Sequence, residues 1–488
     1  MTMTTYPADE DSSSTDPVRQ CHEVLKLPGM AALTHEELVT GQRDAGLTHG
    51  DRLLTHVLRP RLVLEADQRT VAEAGRLVAR AARRLAANLA APDTDLPAVV
   101  CESISLDRAQ AALARIPHPG QEPSMLGRLD GFGNGEHVMF VEYNADSAAG
   151  LVTQDLLTRI YADTCTMRQL DKTTRIQPAP TLERIVDLLL AAWHDAGEPG
   201  ATPQVAVVDW PDRAVLYEFQ PVRAALQARG VPTLICTPDD LSFTRGRLMA
   251  HIDEAGNQPV TLVYRRVMVT DLRHKYGPHV IHHPLVRAAM AGACTVVNPL
   301  AAQLTTRKSL FALLSDEQVL NWLPADEAAA ARRHVPWSRQ LRPGRTLYQG
   351  DTVDLLEFVR TQRDRLVLKP DDGYAGRGVV CGWHTSPDAW STAIKNALRT
   401  PHVVQERVPI PTAVFPFLAD KGLVWHQRLE GNDPMLVGDT VAGSFSRIST
   451  NFMVNMASGG HLLPGFTTAP LHEPTAPSDS GGDGMPRR

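Results

Sequence analysis

A chain of 488 residues, 43% hydrophobic and 21% charged, is long enough for two or three domains with proper cores. Its formal net charge of −6, with no basic stripe, gives nucleic acid no footing as a partner. No apolar run approaches the about 18 residues of a membrane span, the first thirty residues hold no signal-peptide core, and six scattered cysteines show no C-x-x-C spacing, so the expectation is a cytoplasmic protein with reduced thiols and no membrane partner.

In chain order, residues 1–16 are rich in Ser, Thr and Asp and read as disordered, as do 471–488 at the other end. Residues 17–124 read as a helical region. Its clearest helix is Asp67–Ala91, with Val71, Ala74, Leu77, Val78, Ala81 and Leu85 at helical spacing and Pro92 as a stop. Arg76, Arg80, Arg83 and Arg84 lie mostly off that stripe and read as a solvated face rather than a binding face.

Residues 125–180 open with Arg128–Gly150. Gly133, Asn134 and Gly135 separate two β-rich runs, which predicts a hairpin. A side-chain period of two puts Glu142 and Asn144 on one face, with Val141 and Tyr143 on the other. The hairpin returns Asp130, twelve residues before Glu142, to the same face. Such a cluster of hard oxygen ligands suits magnesium, which takes one or two carboxylates with waters and substrate phosphates. A lone Glu-x-Asn also reads as the solvated face of an edge hairpin. The helical stretch Leu151–Leu170 and a break at Gln177–Pro180 follow.

Residues 181–300 have a Rossmann-like rhythm: helix Leu182–Ala196, strand Gln204–Val208, helix Arg213–Arg229, then strands Val231–Cys236, Val260–Val263 and Thr295–Val297. Asp209, Arg265, Arg266 and Asp271 fall near strand ends, where such sheets bind ligands, though structural ion pairs suit each equally. His282 and His283 have no third ligand at helical spacing, so structural roles suit them better than metal.

Residues 301–470 begin helical, through 345, with Lys308 at the head of an apolar helix, where it reads as a phosphate ligand or a surface lysine. The strand Leu366–Leu368 delivers Lys369 into a glycine-rich loop holding Gly373, Gly376 and Gly378, then a second strand, Val379–Cys381. Glycines let backbone N–H groups cradle phosphate oxygens. The loop matches neither G-x-x-x-x-G-K-[ST] nor a helix-opening G-x-G-x-x-G; it reads as a phosphate lid or a plain hairpin. The strand around Gln405, Glu406 and Val408 offers an edge for adenine. Residues 422–430 and 434–449 read as further strands, with Gly438-Asp439 as a turn, and Asn455, Gly459 and Gly460 make a polar loop suited to an oxyanion.

In this order the pieces resemble an ATP-grasp ligase whose metal strand has moved to the front. They are similar to the synthetase domain of glutathionylspermidine synthase and its circularly permuted relatives. The carriers are Arg128-Leu-Asp130, then Val141-Glu-Tyr-Asn-Ala-Asp146, and Asn298-Pro299 ahead of Lys308. The resemblance covers roughly 125–460. It implies a circularly permuted ATP-grasp fold of the α+β or α/β class, with a small Rossmann-like domain and an N-terminal helical region. It implies joining of a small-molecule carboxylate to an amine through an acyl phosphate, with ADP and phosphate released. ATP and two magnesium ions would be the cofactors: Asp130, Glu142 and Asn144 the metal ligands, Arg128 catalytic, and Lys308, Lys369, the lid glycines, Gln405, Glu406, Val408, Asn455, Gly459 and Gly460 around the nucleotide. There is no amidase domain in front, so polyamine and glutathione do not carry over as substrates. A carrier-protein thiol as acceptor, a phosphotransferase and a non-catalytic ATP-binding protein are the competing readings.

Overall fold

The computed structural model of the protein describes residues 16–471, apart from positions 92, 95, 97–99, 101, 102, 105, 198–201, 211–215, 253–255, 375 and 457. Pro92 and nearly all of the two tails read as disordered lie outside the described residues. Asp16, at the edge of the first tail, caps the helix Pro17–Lys26 by accepting from the Val18 amide at 3.0 Å.

The fold is mixed α/β with several sheets, and the largest one among the described residues joins strands between residues 61 and 177 to strands after residue 411. Its strands run in the order Thr412–Ala419, Gly422–Glu430, Thr440–Ser449, Asp433–Val437, Leu126–Phe132 and Met139–Asn144. The last two form the predicted hairpin, and Leu126–Phe132 pairs antiparallel with Asp433–Val437. His461–Pro470 pairs with Thr440–Ser449 and brings in Arg61–Leu64 and Thr174–Gln177, for nine strands in all. Gly438, at φ +60°, turns Val437 back onto Thr440 as a two-residue hairpin loop requires.

The helix Glu65–Ala90 holds the back of the hairpin. Its apolar stripe, including Val71, Val78 and Leu85, packs with Leu129, Phe140 and Tyr143 of the hairpin and with Leu310 and Phe311 of the helix Lys308–Leu314. Each such side chain contributes about 1.5–3 kcal/mol by leaving water, so the hairpin is a wall of the core rather than a free edge. Of the arginines read as a solvated face, Arg83 departs from it: it is buried and donates to Asp439 Oδ1 at 2.6 Å and Gly438 O at 2.7 Å. Arg84 is exposed, and its Nε and Nη2 reach the buried Glu327 at 2.8 Å.

Four parallel strands, in the order Thr295–Val297, Leu262–Arg265, Val205–Val208 and Thr233–Cys236, form the Rossmann-like sheet. The strand expected over Val260–Val263 starts two residues late. Val260 instead ends a three-stranded antiparallel sheet, Leu241–Thr244, Arg247–Ile252 and Gly256–Val260, whose polar third strand gave no apolar signal. Nor is 301–345 helical throughout: after the helix Ala325–His334 it forms the strand Ser338–Gln340, the edge of a second four-stranded sheet with His402–Glu406, Leu366–Pro370 and Val380–Cys381. No described helix is long and apolar enough to cross a membrane.

Candidate functional site

The hairpin faces the second four-stranded sheet across a cleft of about 380 Å³. Asp130 pairs with Glu142 and Arg128 with Asn144, so all four side chains leave the sheet at neighbouring positions. The register then slips, Gly131 pairing with Phe140, which leaves Val141 as the extra residue of a β-bulge. The strict period of two fails there. Phe140 and Tyr143 both enter the core, and Val141, expected opposite Glu142, lines the cleft beside it.

Asp130 is 4% exposed, and both its oxygens are occupied. Arg128 donates from Nε to Oδ1 at 2.6 Å and from Nη2 to Oδ2 at 3.1 Å, and Arg447 Nη2 lies 2.8 Å from Oδ2. Burial opposes ionisation of this carboxyl, but the two guanidinium groups outweigh it and hold its pKa well below the carboxylate range. Behind it lies Asp433, 0% exposed, accepting from Arg447 Nε at 2.8 Å and Nη2 at 3.0 Å and from the Gly131 amide at 3.2 Å. Burial, with Asp130 close by, pushes the Asp433 carboxyl upward against the pull of Arg447. Glu142 is more open: Asn144 Nδ2 donates to it at 3.3 Å and Lys308 Nζ stands 3.5 Å away.

Two lysines face the hairpin. Lys308 Nζ donates to Gly373 O at 2.5 Å, and its helix is fixed by Asp371, whose carboxylate takes the Ser309 amide and Arg307 Nη1, both at 2.7 Å. Lys369 is buried and donates to Gln405 Oε1 at 2.7 Å and Val141 O at 3.3 Å. Burial lowers its pKa to about 8, Glu142 working against the shift and Lys308 adding to it. Gln405 also donates to Ser338 Oγ and Val141 O, so its side chain orders the lysine rather than facing a base. Glu406 accepts from Tyr348 at 2.8 Å.

Of the expected residues, Arg128, Asp130, Glu142, Asn144, Lys308, Lys369, Gly373, Gly376, Gln405, Glu406, Val408 and Asn455 line this one cleft. Gly378, Gly459 and Gly460 do not: Gly378 packs on Pro370, and Gly460 closes a turn by donating to Asn455 O. A Cβ on Gly376, at φ +73°, would meet Met453 Cε at 2.5 Å, so the glycine-rich loop lies directly on the loop before Asn455. The strand-end arginines are structural. Arg265 is fully engaged by Asp146 and the carbonyls of Asn298, Val267 and Pro299; Arg266 pairs with Glu218. His283 caps the helix Pro284–Met290 by accepting from the Leu285 amide. Asp271 accepts from the hydroxyl of Tyr374, in the glycine-rich loop, at 3.4 Å.

Arg447, Asp433 and the aromatic rim of Trp383, His384 and Phe452 had no place in the sequence reading. The only sequence trace of Arg447 is a lone cation in a strand of small and apolar residues. His384 and Phe452 stack at 4.1 Å across the mouth, and Arg407 lies 4.4 Å from the Trp383 ring centroid.

The donor set around Glu142, Asn144 and Asp130 consists of hard oxygens and fits magnesium chemically, Glu142 and Asn144 directly and Asp130 once it parts from a guanidinium.

No family model matches the sequence, and no curated protein matches it. Among solved structures, a glutathione synthetase-like effector from Globodera pallida superposes with a TM-score of 0.59 at 12% identity, over 91% of this chain and 98% of that one. A candidate gamma-glutamylcysteine synthetase from Methylobacillus flagellatus matches with a TM-score of 0.39 at 12% identity, over 70% and 80%, and carries no argument. The first likeness is one of fold: the chain has a mixed α/β architecture similar to glutathione synthetase-like proteins.

Proposed function

We propose that the protein is an ATP-dependent ligase that joins a carboxylate to an amine through an acyl phosphate, on a circularly permuted ATP-grasp scaffold. The observation that carries the reading is the meeting, in one cleft, of paired Asp130 and Glu142, beside Asn144, with Lys308 and Lys369. The permutation is supported by the hairpin near the front of the chain, which pairs through Leu126–Phe132 with Asp433–Val437, in a run of strands whose other members all lie after residue 411.

Each residue has a role in that scheme. Lys308 and Lys369 hold the nucleotide phosphates as point charges. Glu142, Asn144 and Asp130 would hold magnesium, which when bound neutralises charge on the phosphates. Arg128 and Arg447 present guanidinium groups to the acid and to the phosphoryl group it receives, where a fixed donor is worth about 3–4 kcal/mol of barrier. The lid glycines Gly373, against Pro370, and Gly376, against Met453, exclude water that would hydrolyse the acyl phosphate. The amine then attacks the acyl carbon and phosphate leaves.

The test is ADP formation from Mg-ATP over a panel of carboxylic acids, with hydroxylamine as amine. A ligase of this kind gives ADP and a hydroxamate that depends on the acid. Release of AMP and pyrophosphate, or a stable phosphorylated product untouched by hydroxylamine, contradicts it.

A further inference from the structure

Arg447 is shared by two buried carboxylates, and only one of them belongs to the proposed metal set. It lies 2.8 Å from Asp130, a proposed ligand, and makes two hydrogen bonds to Asp433, which is sealed from the cleft. Asp433 also accepts the amide of Gly131, the residue after Asp130, and so is fixed to the same strand by backbone. A divalent ion at Asp130 Oδ2 would sit beside the Arg447 guanidinium group that lies 2.8 Å from that oxygen, so Arg447 opposes the ion by charge, as does Arg128, which donates to both oxygens.

We propose that Asp433 is the positioning residue of this centre: it retains Arg447 on the cleft wall when Asp130 exchanges that guanidinium group for a divalent cation. The exchange leaves a guanidinium beside the metal-loaded carboxylate, free on its Asp130 side for the anionic acid. It orders binding, metal and nucleotide before acid. The inference rests on the ligase reading, through its divalent cation.

The consequence is a pair of opposite shifts. Removing one of the two opposing charges, Arg447→Gln, strengthens divalent binding at Asp130 while Arg128 stays in place. Removing the retainer's charge, Asp433→Asn, commits Arg447 to Asp130 and weakens that binding. A charge about 3 Å away in a partly buried site makes each shift about tenfold or more. Arg447→Lys keeps the charge and stays near the wild type. General loosening of the fold would weaken binding in every variant.

Manganese is the probe, titrated by electron paramagnetic resonance with and without a non-hydrolysable ATP analogue, on the wild type and the three variants, each checked as folded by its melting transition. Tighter binding in R447Q with weaker binding in D433N is expected. Shifts of the same sign, or none, overturn the inference even where the wild type binds metal and nucleotide. A wild type that binds neither ligand overturns it together with the ligase reading, which separates the two failures. If D433N does not fold, R447Q against R447K decides: equal affinity for manganese overturns the competition.

Discussion

Arg447 stands 2.8 Å from Asp130 and 2.8 Å from Asp433, with its guanidinium group the common partner of two buried carboxylates from different strands. Removing one partner of a buried pair leaves an uncompensated charge and costs about 3–5 kcal/mol. Arg447→Met is therefore expected to lower unfolding free energy by that order at neutral pH. The Asp433 carboxyl already sits above its ordinary pKa, and without the guanidinium it rises further. A folded pKa above the unfolded one means stability falls as pH climbs through the gap, so the deficit of the variant shrinks between pH 7 and 5. Denaturant melts at both pH values check this.

Lys369 carries a different pH signature. Its folded pKa, about 8, lies below the unfolded value of 10.5. The folded state thus gives up its proton first, and stability contributed by this site rises from pH 8 to 10.5, by about 3 kcal/mol over the whole window. Lys369→Met lacks that rise. If Lys369 holds a phosphate, nucleotide affinity in the wild type weakens as pH rises through the same window, and the variant shows neither trend.

Asp371 joins lid to helix by taking the Ser309 amide and the Arg307 guanidinium group. Asp371→Ala leaves Arg307, 4% exposed, without that carboxylate. The expected loss is about 3–5 kcal/mol in chemical denaturation, with a weaker response to ATP because Lys308 begins that helix. A loss under 1 kcal/mol contradicts the assignment.

Gly376 tests the lid. At φ +73°, with Met453 Cε 2.5 Å from where a Cβ would sit, Gly376→Ala is strained and pushes the lid off its seat. The Michaelis constant for ATP rises while the melting temperature moves little. Shortening the neighbour as well, G376A with Met453→Ala, recovers part of the loss, since a flexible side chain is half of the obstacle.

The sequence already carried the hairpin, both lysines and the glycine-rich loop, because each has a local signal: turn residues between β-rich runs, a strand that ends in lysine, glycines in a cluster. It did not carry Asp433 and Arg447, whose roles come from pairing across strands: Met435 opposite Arg128 and Asp433 opposite Phe445. Nor did it carry the bulge at Val141, where register overrode a period of two. The polar antiparallel sheet at 241–260 was missed for want of an apolar pattern, and the buried Arg83 was grouped with its more exposed neighbours because its partner Asp439 lies far along the chain.

A ligase of this kind needs a magnesium-dependent nucleotide site at Glu142. The measurement that meets it most directly is the melting shift with ATP and magnesium, alone and together, on wild type and Glu142→Ala. At about a hundred times its dissociation constant the ligand stabilises the fold by roughly 2.7 kcal/mol. The expected result is a shift in the wild type that requires magnesium, and a variant whose response to ATP no longer depends on the metal. A wild type that melts at the same temperature with and without Mg-ATP contradicts it, and leaves Glu142 and Asn144 as the polar face of a structural hairpin.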